Sequence, residues 1–338
     1  MKYLIACAAL LCLGACKKEN TDKKDATKTK KDIYVAGYET NYRCYLGFYY
    51  KNDTIHYLNG CDTTVDITGL AVDGSDVYVS GSLINVRGYT TAVYWKNGVL
   101  KVLGISSPNR SSSAMCVTVS GGNIYIGGND IDYMPCYWKN GVKIPIASAT
   151  SSGFITSIFV AGNDMYATGS MTAINTPFYW KNGSIHKFNE NTFWGRVKAI
   201  YVTGGDVYAA GEYNNEAKYW KNNTVFDLEL ASGIHRSFAS CITVSNNDVL
   251  VAGTENEYGV GDAVRYWKNG KAVHTTEAKT SSLVIVSDIV ADNGDVYIAG
   301  GTNFSSVNYW KNGTPIMLPK GANSTANPVR VLTGMVIQ

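Results

Sequence analysis

Residues 94–98 read YWKNG, and the same five residues return at 137–141, 179–183, 266–270 and 309–313, with the variant YWKNN at 219–223. A second segment, with the pattern DxYxxG, precedes each of them. It reads DIYVAG at 32, DVYVSG at 76, NIYIGG at 123, DMYATG at 164, DVYAAG at 206, DVLVAG at 248 and DVYIAG at 295. Seven copies at intervals of 41 to 47 residues indicate that the chain is built from repeats.

Each repeat predicts four antiparallel β-strands. Both segments alternate apolar and polar residues with a period of two, as does a third, weaker segment such as TGLAV at 68–72. The Asn-Gly of YWKNG favours a type I′ turn, because that turn needs positive φ at both central residues. A short fourth strand follows it, as in VLKVL at 99–103. Four strands in about 44 residues are typical of a propeller blade.

The two ends of the repeat region complete one another. The region begins at Asp32 with DxYxxG and lacks the third segment in front of it, whereas the chain ends with VRVLTGMVIQ. The residues TGMVI at 333–337 align with TGLAV at 68–72, so the last strand supplies what the first repeat lacks. We therefore predict an all-β fold over residues 32–338. It is a seven-bladed β-propeller of four-stranded antiparallel blades, closed by pairing of the C-terminal strand with the N-terminal strand.

Residues present in nearly every repeat are interpreted as scaffold. Tyr and Trp of YWKNG are neighbours on a strand, so they point to opposite faces of a blade and should pack against both neighbouring blades. The alternative is a row of Trp that stacks on sugars. The Gly that ends DxYxxG should take positive φ or allow close backbone approach.

A small residue near the start of the third segment should line the crowded centre of the ring. This position makes Cys116 and Cys241 packing residues rather than nucleophiles. Asp288 breaks the pattern, either as a charge that lines the channel or because the alignment is shifted by one residue.

The N-terminus predicts export and lipid attachment. Lys2 precedes an apolar run of 13 residues, Tyr3 to Ala15, which is too short to span a bilayer and is typical of a signal peptide. The residues LGAC at 13–16 resemble the lipobox of bacterial lipoproteins. This resemblance implies that residues 1–15 are removed and that Cys16 carries the lipids. The alternative is a plain secreted protein with a Cys here by chance.

Residues 16–31 predict a lipidated Cys followed by a flexible tether. Residues 17–31 hold seven Lys and three acidic residues, and no apolar residue larger than Ala26. The whole chain has a net charge of +3, so the folded body has a small negative net charge. We therefore expect no nucleic-acid partner, which would need a basic face. The Lys side chains either lie against anionic lipid head groups or keep the segment soluble.

No motif predicts catalysis, a metal or a cofactor. The sequence has no HExxH, GxSxG or Walker loop, and its four His fall in different repeats. Asp130 and Asp132 lack the further oxygen ligands of a Ca²⁺ loop. Beyond the leader and Cys16, five Cys remain without CxxC spacing, which indicates neither a disulfide framework nor a zinc site.

The ligand site is expected on one side of the propeller. The turns between the first and second strands, and between the third and fourth, are short and repeat, so they share one side. The loops on the other side, here called the variable side, differ in length and composition. Binding residues concentrate on such loops, and Tyr, Trp and Arg are frequent anchors. The candidate ligand-binding residues are Glu39, Tyr42, Arg43, Arg87, Asp130, Tyr133, Trp194, Arg196, Glu212, His235, Arg236 and Glu255.

The segment IYIGG at 124–128, with the aromatic pair that follows it, resembles the strands of kelch-type propellers. The whole chain resembles lipid-anchored repeat propellers of Gram-negative envelopes, which implies binding at the outer membrane or cell surface. We expect a non-catalytic, monomeric protein, anchored by its lipid, whose partner is an envelope or extracellular protein or a glycan.

Two alternatives remain open. One is a carbohydrate-active enzyme, a hydrolase or lyase, in which carboxylates such as Glu39, Glu212 and Glu255 meet at the channel mouth. The other is a purely structural lipoprotein.

Overall fold

The computed structural model describes residues 31–41, 44–146, 148–174, 176–188, 195–231, 233–257, 261–275, 284–302, 309–319 and 329–338. These residues form seven four-stranded antiparallel sheets, which are the predicted blades. Within the described ranges, no helix is long and apolar enough to cross a bilayer. The predicted signal peptide, Cys16 and the tether up to Lys30 lie outside the described residues.

The strands follow the chain from blade to blade. Blade 1 contains β1 (Ile33–Asn41), β2 (Cys44–Lys51), β3 (Thr54–Tyr57) and the last strand, β28 (Val329–Ile337). Blade 2 contains β4 (Thr64–Asp73), β5 (Asp76–Ile84), β6 (Thr90–Lys96) and β7 (Val99–Val102). Blade 3 contains β8 (Ser113–Ser120), β9 (Asn123–Asn129), β10 (Pro135–Lys139) and β11 (Val142–Pro145). Blade 4 contains β12 (Gly153–Ala161), β13 (Asp164–Met171), β14 (Phe178–Lys181) and β15 (Ser184–Lys187).

The remaining blades repeat this order. Blade 5 contains β16 (Gly195–Thr203), β17 (Asp206–Tyr213), β18 (Glu216–Lys221) and β19 (Thr224–Asp227). Blade 6 contains β20 (Ile234–Ser245), β21 (Asp248–Glu257), β22 (Gly261–Lys268) and β23 (Lys271–Thr275). Blade 7 contains β24 (Val284–Asp292), β25 (Asp295–Thr302), β26 (Tyr309–Lys311) and β27 (Thr314–Ile316).

The ring closes in blade 1, as predicted. Strand β28 pairs antiparallel with β1, with Ile33 opposite Ile337. Two backbone hydrogen bonds between Asp32 and Gln338, of 2.7 and 3.1 Å, extend this ladder beyond the strands. The innermost strand of every blade lines a central cavity of about 300 Å³. These strands are β4, β8, β12, β16, β20, β24 and β28.

The two repeated segments hold each other through their side chains, as blade 2 illustrates. The amide of Asn97 donates to Asp76 Oδ1 at 2.8 Å and accepts the N–H of Val77 at 2.8 Å. Nζ of Lys96 lies 2.7 Å from Asp76 Oδ2 and 5.3 Å from the ring centroid of Tyr78. Asn97 and the following Gly have φ of 52° and 81°, which confirms the predicted turn.

This arrangement recurs around the ring with local changes, and Asp53 in blade 1 and Asn223 in blade 5 replace the Gly. Blade 3 has Asn123 in place of Asp, and the Asn123 side-chain oxygen accepts a hydrogen bond from Asn140. Lys139 still contacts the Tyr125 ring. Blade 6 has Leu250 in place of Tyr, and Lys268 keeps its ion pair with Asp248. The Asp, Tyr, Lys and Asn of the repeat are therefore explained by the turn that they stabilise.

The aromatic pair builds the interfaces between blades. The Tyr of one blade and the Trp of the next share a hydrophobic cluster, as for Tyr219 with Trp267 and Tyr266 with Trp310. Blade 7 meets blade 1 through Tyr309 and Tyr50, which occupies the Trp position. Five of the repeat Trp are at most 1% exposed and Trp310 is 3% exposed. The scaffold prediction is confirmed, and the alternative of a Trp row that stacks on sugars is wrong.

The Gly that ends each DxYxxG segment faces a β-bulge in the innermost strand. None of these seven Gly has positive φ, so the first of the two predicted reasons is wrong. A Cβ placed on Gly253 would lie 1.8 Å from the carbonyl oxygen of Phe238. The bulge beside it is the register shift between Ala239 and Cys241. Close backbone approach is therefore what excludes a side chain here.

The cysteines differ from the prediction in one respect. Cys61 is disulfide-bonded, although the odd number of Cys argued against a disulfide. Cys116, Cys136 and Cys241 are free. Burial raises the pKa of the Cys116 thiol to about 12 and also raises that of Cys241. Such thiols are protonated at neutral pH, which agrees with the predicted packing role of Cys116 and Cys241.

The contact at the bulge predicts a stability effect. Gly253→Ala forces a Cβ against a carbonyl oxygen that cannot move without shifting β20, so the free energy of unfolding should fall by about 1–3 kcal/mol. Gly60→Ala is the matched control, because its Cβ would meet only the Asp62 side chain, and its effect should be within about 0.5 kcal/mol. Urea denaturation of both variants measures the difference. Equal stability of the two would contradict the proposed role of the bulge.

Candidate functional site

Two of the predicted ligand-binding carboxylates are buried inside their own blades. Glu39 is 1% exposed, and its Oε2 lies 2.9 Å from Nε of Arg330 in β28. The hydroxyl of Tyr57 donates to Glu39 Oε1 at 2.7 Å. In blade 6, Glu255 is 1% exposed and forms an ion pair with Arg265. Both carboxylates are therefore structural, and their prediction as ligand-binding residues is corrected.

Asp130 organises its own loop in blade 3. Its Oδ2 lies 2.9 Å from Lys143 Nζ, and its Oδ1 accepts the N–H groups of Asp132 and Met134. Burial raises the pKa of Asp130, but these hydrogen bonds outweigh burial and leave the pKa below its ordinary value. The loop holds Tyr133 at a φ of 60°, and this residue is 43% exposed. Asp130 therefore supports an exposed aromatic residue.

Arg196 and Glu212 are the predicted residues that the structure brings together in a cleft. The cleft lies between blades 4 and 5 on the variable side and has a volume of about 310 Å³. Nε of Arg196 is 3.2 Å from Glu212 Oε1, and the Arg196 side chain is 75% exposed, whereas Glu212 is 8% exposed. Glu212 thus anchors the inner end of a guanidinium that remains accessible to solvent. The other lining residues, which sequence reasoning missed, are Ser170, Met171, Thr172, Ile174, Gly195 and Asn215.

Arg87 and Arg236 do not line this cleft. Arg87 is exposed in blade 2, and Arg236 is exposed in blade 6. Tyr42, Arg43, Trp194 and the side chain of His235 lie outside the described residues. Among the described residues, the variable side therefore carries separate exposed groups and a cleft between blades 4 and 5.

The central cavity was not predicted as a site, although Asp288 was suspected of lining it. The register of β24 against β25 places Asp288 opposite Ala299, as Cys241 lies opposite Ala252. The alignment was therefore correct, and Asp288 lines the channel. The residue at each bulge also lines the cavity. These bulge residues are Thr68, Met115, Thr156, Lys198, Ser240, Ser287 and Thr333.

Asp288 is held by backbone groups of two blades. Its Oδ2 accepts the N–H of Met335 at 3.0 Å, and its Oδ1 accepts that of Ile289 at 2.8 Å. Burial raises the pKa of Asp288 to about 6, although these two hydrogen bonds act in the opposite direction. The carboxyl group therefore changes charge close to neutral pH.

The sequence matches no protein-family description and no curated protein. Among solved structures, the fold is similar to the extracellular domain of a putative hybrid two-component system from B. thetaiotaomicron, at 12% sequence identity and a TM-score of 0.40. The match covers 87% of this chain and 46% of that chain, so this chain spans less than half the length of that structure. The likeness concerns the fold alone. The resemblance to kelch-type strands stays a prediction.

The buried ion pair between β1 and β28 predicts non-additive stability effects. Arg330→Met leaves Glu39 buried without its cation, so the free energy of unfolding should fall by about 3–5 kcal/mol. The double variant Glu39→Gln/Arg330→Met has no uncompensated charge and should be more stable than Arg330→Met alone. Denaturant titration of the two single variants and the double variant measures the coupling. Strictly additive losses would contradict it.

The raised pKa of Asp288 predicts a pH dependence of stability. The folded state holds this proton more tightly than the unfolded state, so the contribution is complete below about pH 4 and is lost as the pH rises through 6. Asp288→Asn removes the titration and should gain up to about 3 kcal/mol relative to the natural protein between pH 4 and pH 8. Thermal unfolding of both proteins across this range measures the gain. Parallel curves would contradict the prediction.

Proposed function

We propose that this protein is a non-catalytic binding propeller, tethered to the bacterial cell envelope by acylated Cys16, that holds a protein or glycan ligand on its variable side. The observation that carries the proposal is the cleft between blades 4 and 5. It combines an accessible guanidinium, that of Arg196, with apolar and hydrogen-bonding side chains on two rigid blades. Such a combination of a few polar groups with apolar walls is typical of ligand sites.

The chemistry of the cleft suits a sugar or a polar peptide segment. Ile174 offers apolar surface, while Ser170, Thr172 and Asn215 offer hydroxyl and amide groups. Arg196 adds a charged donor that is fixed at one end by Glu212 and is free at the other. Because Arg is frequent among interface anchors, it is the first residue to test.

The pairing of the carboxylates supports binding over catalysis. A glycosidase needs two carboxyl groups that flank the scissile bond, one of them able to donate a proton. Among the described residues that line the cleft, Glu212 is the one carboxylate, and Arg196 neutralises it. Glu39 and Glu255 are held by arginines inside their own blades. The carbohydrate-active enzyme therefore stays the less supported alternative.

The N-terminal sequence supports the envelope anchor. The apolar run before LGAC at 13–16 and the Lys-rich residues 17–31 fit a lipidated Cys followed by a spacer. The exported location, at the outer membrane or cell surface, belongs to the same proposal.

Binding at the cleft can be tested with a glycan array and an envelope protein extract presented to the full chain. Arg196→Ala should weaken binding of any captured glycan or protein by at least about tenfold, because it removes the exposed guanidinium of the cleft, and thermal unfolding checks that the variant is folded although Glu212 loses its cation. Lys101→Ala, exposed on β7 at the outer rim, is the control and should leave binding unchanged. Undiminished binding by Arg196→Ala would place the ligand elsewhere.

The anchor can be tested separately. Expression in bacteria with an alkyne-labelled palmitate should label the natural protein, and Cys16→Ser should remove both the label and the recovery of the protein with membranes. Labelling that persists in Cys16→Ser would contradict attachment at this residue.

A further inference from the structure

The central cavity contains two opposite charges that do not pair with each other. Lys198 enters it from the bulge in β16 of blade 5, and Asp288 enters it from β24 of blade 7. Among the described residues, Nζ of Lys198 has no hydrogen bond or ion pair, and Asp288 is hydrogen-bonded to backbone N–H groups alone. The cavity is thus lined by an exposed lysine and a partly buried carboxyl group, and each remains available to a third group.

The charges of Lys198 and Asp288 both affect the pKa of Cys241, which lies in blade 6 between them. Burial is the main cause that raises the pKa of its thiol, and the negative charge of Asp288 raises it further. Lys198 lowers the pKa of the same thiol. Because Coulomb interactions weaken with distance, both charges lie within electrostatic reach of one sulfur atom in the wall.

Three hydroxyl groups that line the cavity donate their protons to carbonyl groups of neighbouring blades. Thr68 donates its hydroxyl proton to the carbonyl of Ala114 in the next blade at 2.8 Å. Thr156 does the same to the carbonyl of Lys198 at 3.0 Å, and Ser287 to that of Leu332 at 2.7 Å. Since each proton is used in the wall, each oxygen can act toward a ligand as an acceptor alone, and Thr68 already accepts from Ser80 at 3.0 Å. Ser287 directly precedes Asp288 in β24, so its oxygen can accept from an ammonium group bound there.

The geometry points to a binding site for a small zwitterion in this cavity, with the ligand's carboxylate at Lys198 and its ammonium at Asp288. A volume of about 300 Å³ accommodates a ligand of the size of an amino acid or an ω-amino acid. A ligand with both charges can pair with Asp288 and with the exposed Lys198 at the same time, whereas a simple anion or cation can pair with one of them. This site is distinct from the cleft between blades 4 and 5 and goes beyond the function proposed for it.

Calorimetric titration of the full chain in detergent tests the site with defined probes. Glycine, β-alanine and γ-aminobutyrate have increasing separations between ammonium and carboxylate, while acetate and ethylammonium carry one charge each. At least one zwitterion should bind, and the two single-charge probes should bind at least about tenfold more weakly. Absence of binding for all three zwitterions at about 10 mM would overturn the proposal.

Variants show whether the two charges are the determinants. Lys198→Met and Asp288→Asn should each weaken binding of the best zwitterion by at least about tenfold, whereas Lys101→Met on the outer rim should not. Thermal unfolding without ligand confirms that each variant is folded, and Asp288→Asn should be no less stable than the natural protein at pH 7. Binding that survives both substitutions would overturn the proposal. Arg196→Ala should leave it unchanged, so failure of the cleft and failure of the cavity are distinguishable.

Discussion

Ring closure through the antiparallel ladder between β1 and β28 is the constraint on which the other contacts depend. A blade is a thin sheet that buries its aromatic residues only when another blade covers each face. If β28 left β1, blade 1 and blade 7 would part, and the cluster containing Phe48, Tyr50 and Tyr309 would lose its cover. The buried pair of Glu39 and Arg330 lies across this same ladder, so closure also decides whether two charges stay matched.

The two sides of the ring are built by different rules. On one side, the Asp, Lys and Asn of the repeat bond to one another in six blades, and Asn123 replaces the Asp in blade 3. On the variable side, charged residues stabilise individual loops and side chains. Asp130 accepts backbone hydrogen bonds within its own loop, and Glu212 forms an ion pair with Arg196. The residues available to a ligand are therefore those whose side chains are not already engaged in structural ion pairs or hydrogen bonds.

The strands, their order and the closure could be predicted because alternation, turn residues and the missing first strand are all local features of the sequence. The bulges could not, although the sequence holds a trace of them. Buried Ile67 and Leu70 are three residues apart, so strict alternation breaks at Thr68, which enters the channel. The roles of Glu39 and Glu255 were mistaken because a charged residue on a loop side looks available until its partner is known. For Glu39 that partner is 291 residues away.

The position of β1 between β28 and β2 has a mechanical consequence. A pull on the chain ahead of Asp32 acts along the axis of β1, which is hydrogen-bonded on both flanks. The hydrogen bonds of both ladders run across that axis. A pull along β1 therefore loads all of them at the same time and does not open them one by one. An anchor attached through residues 16–31 would therefore transmit drag on the propeller to a strand that resists shear along its whole length.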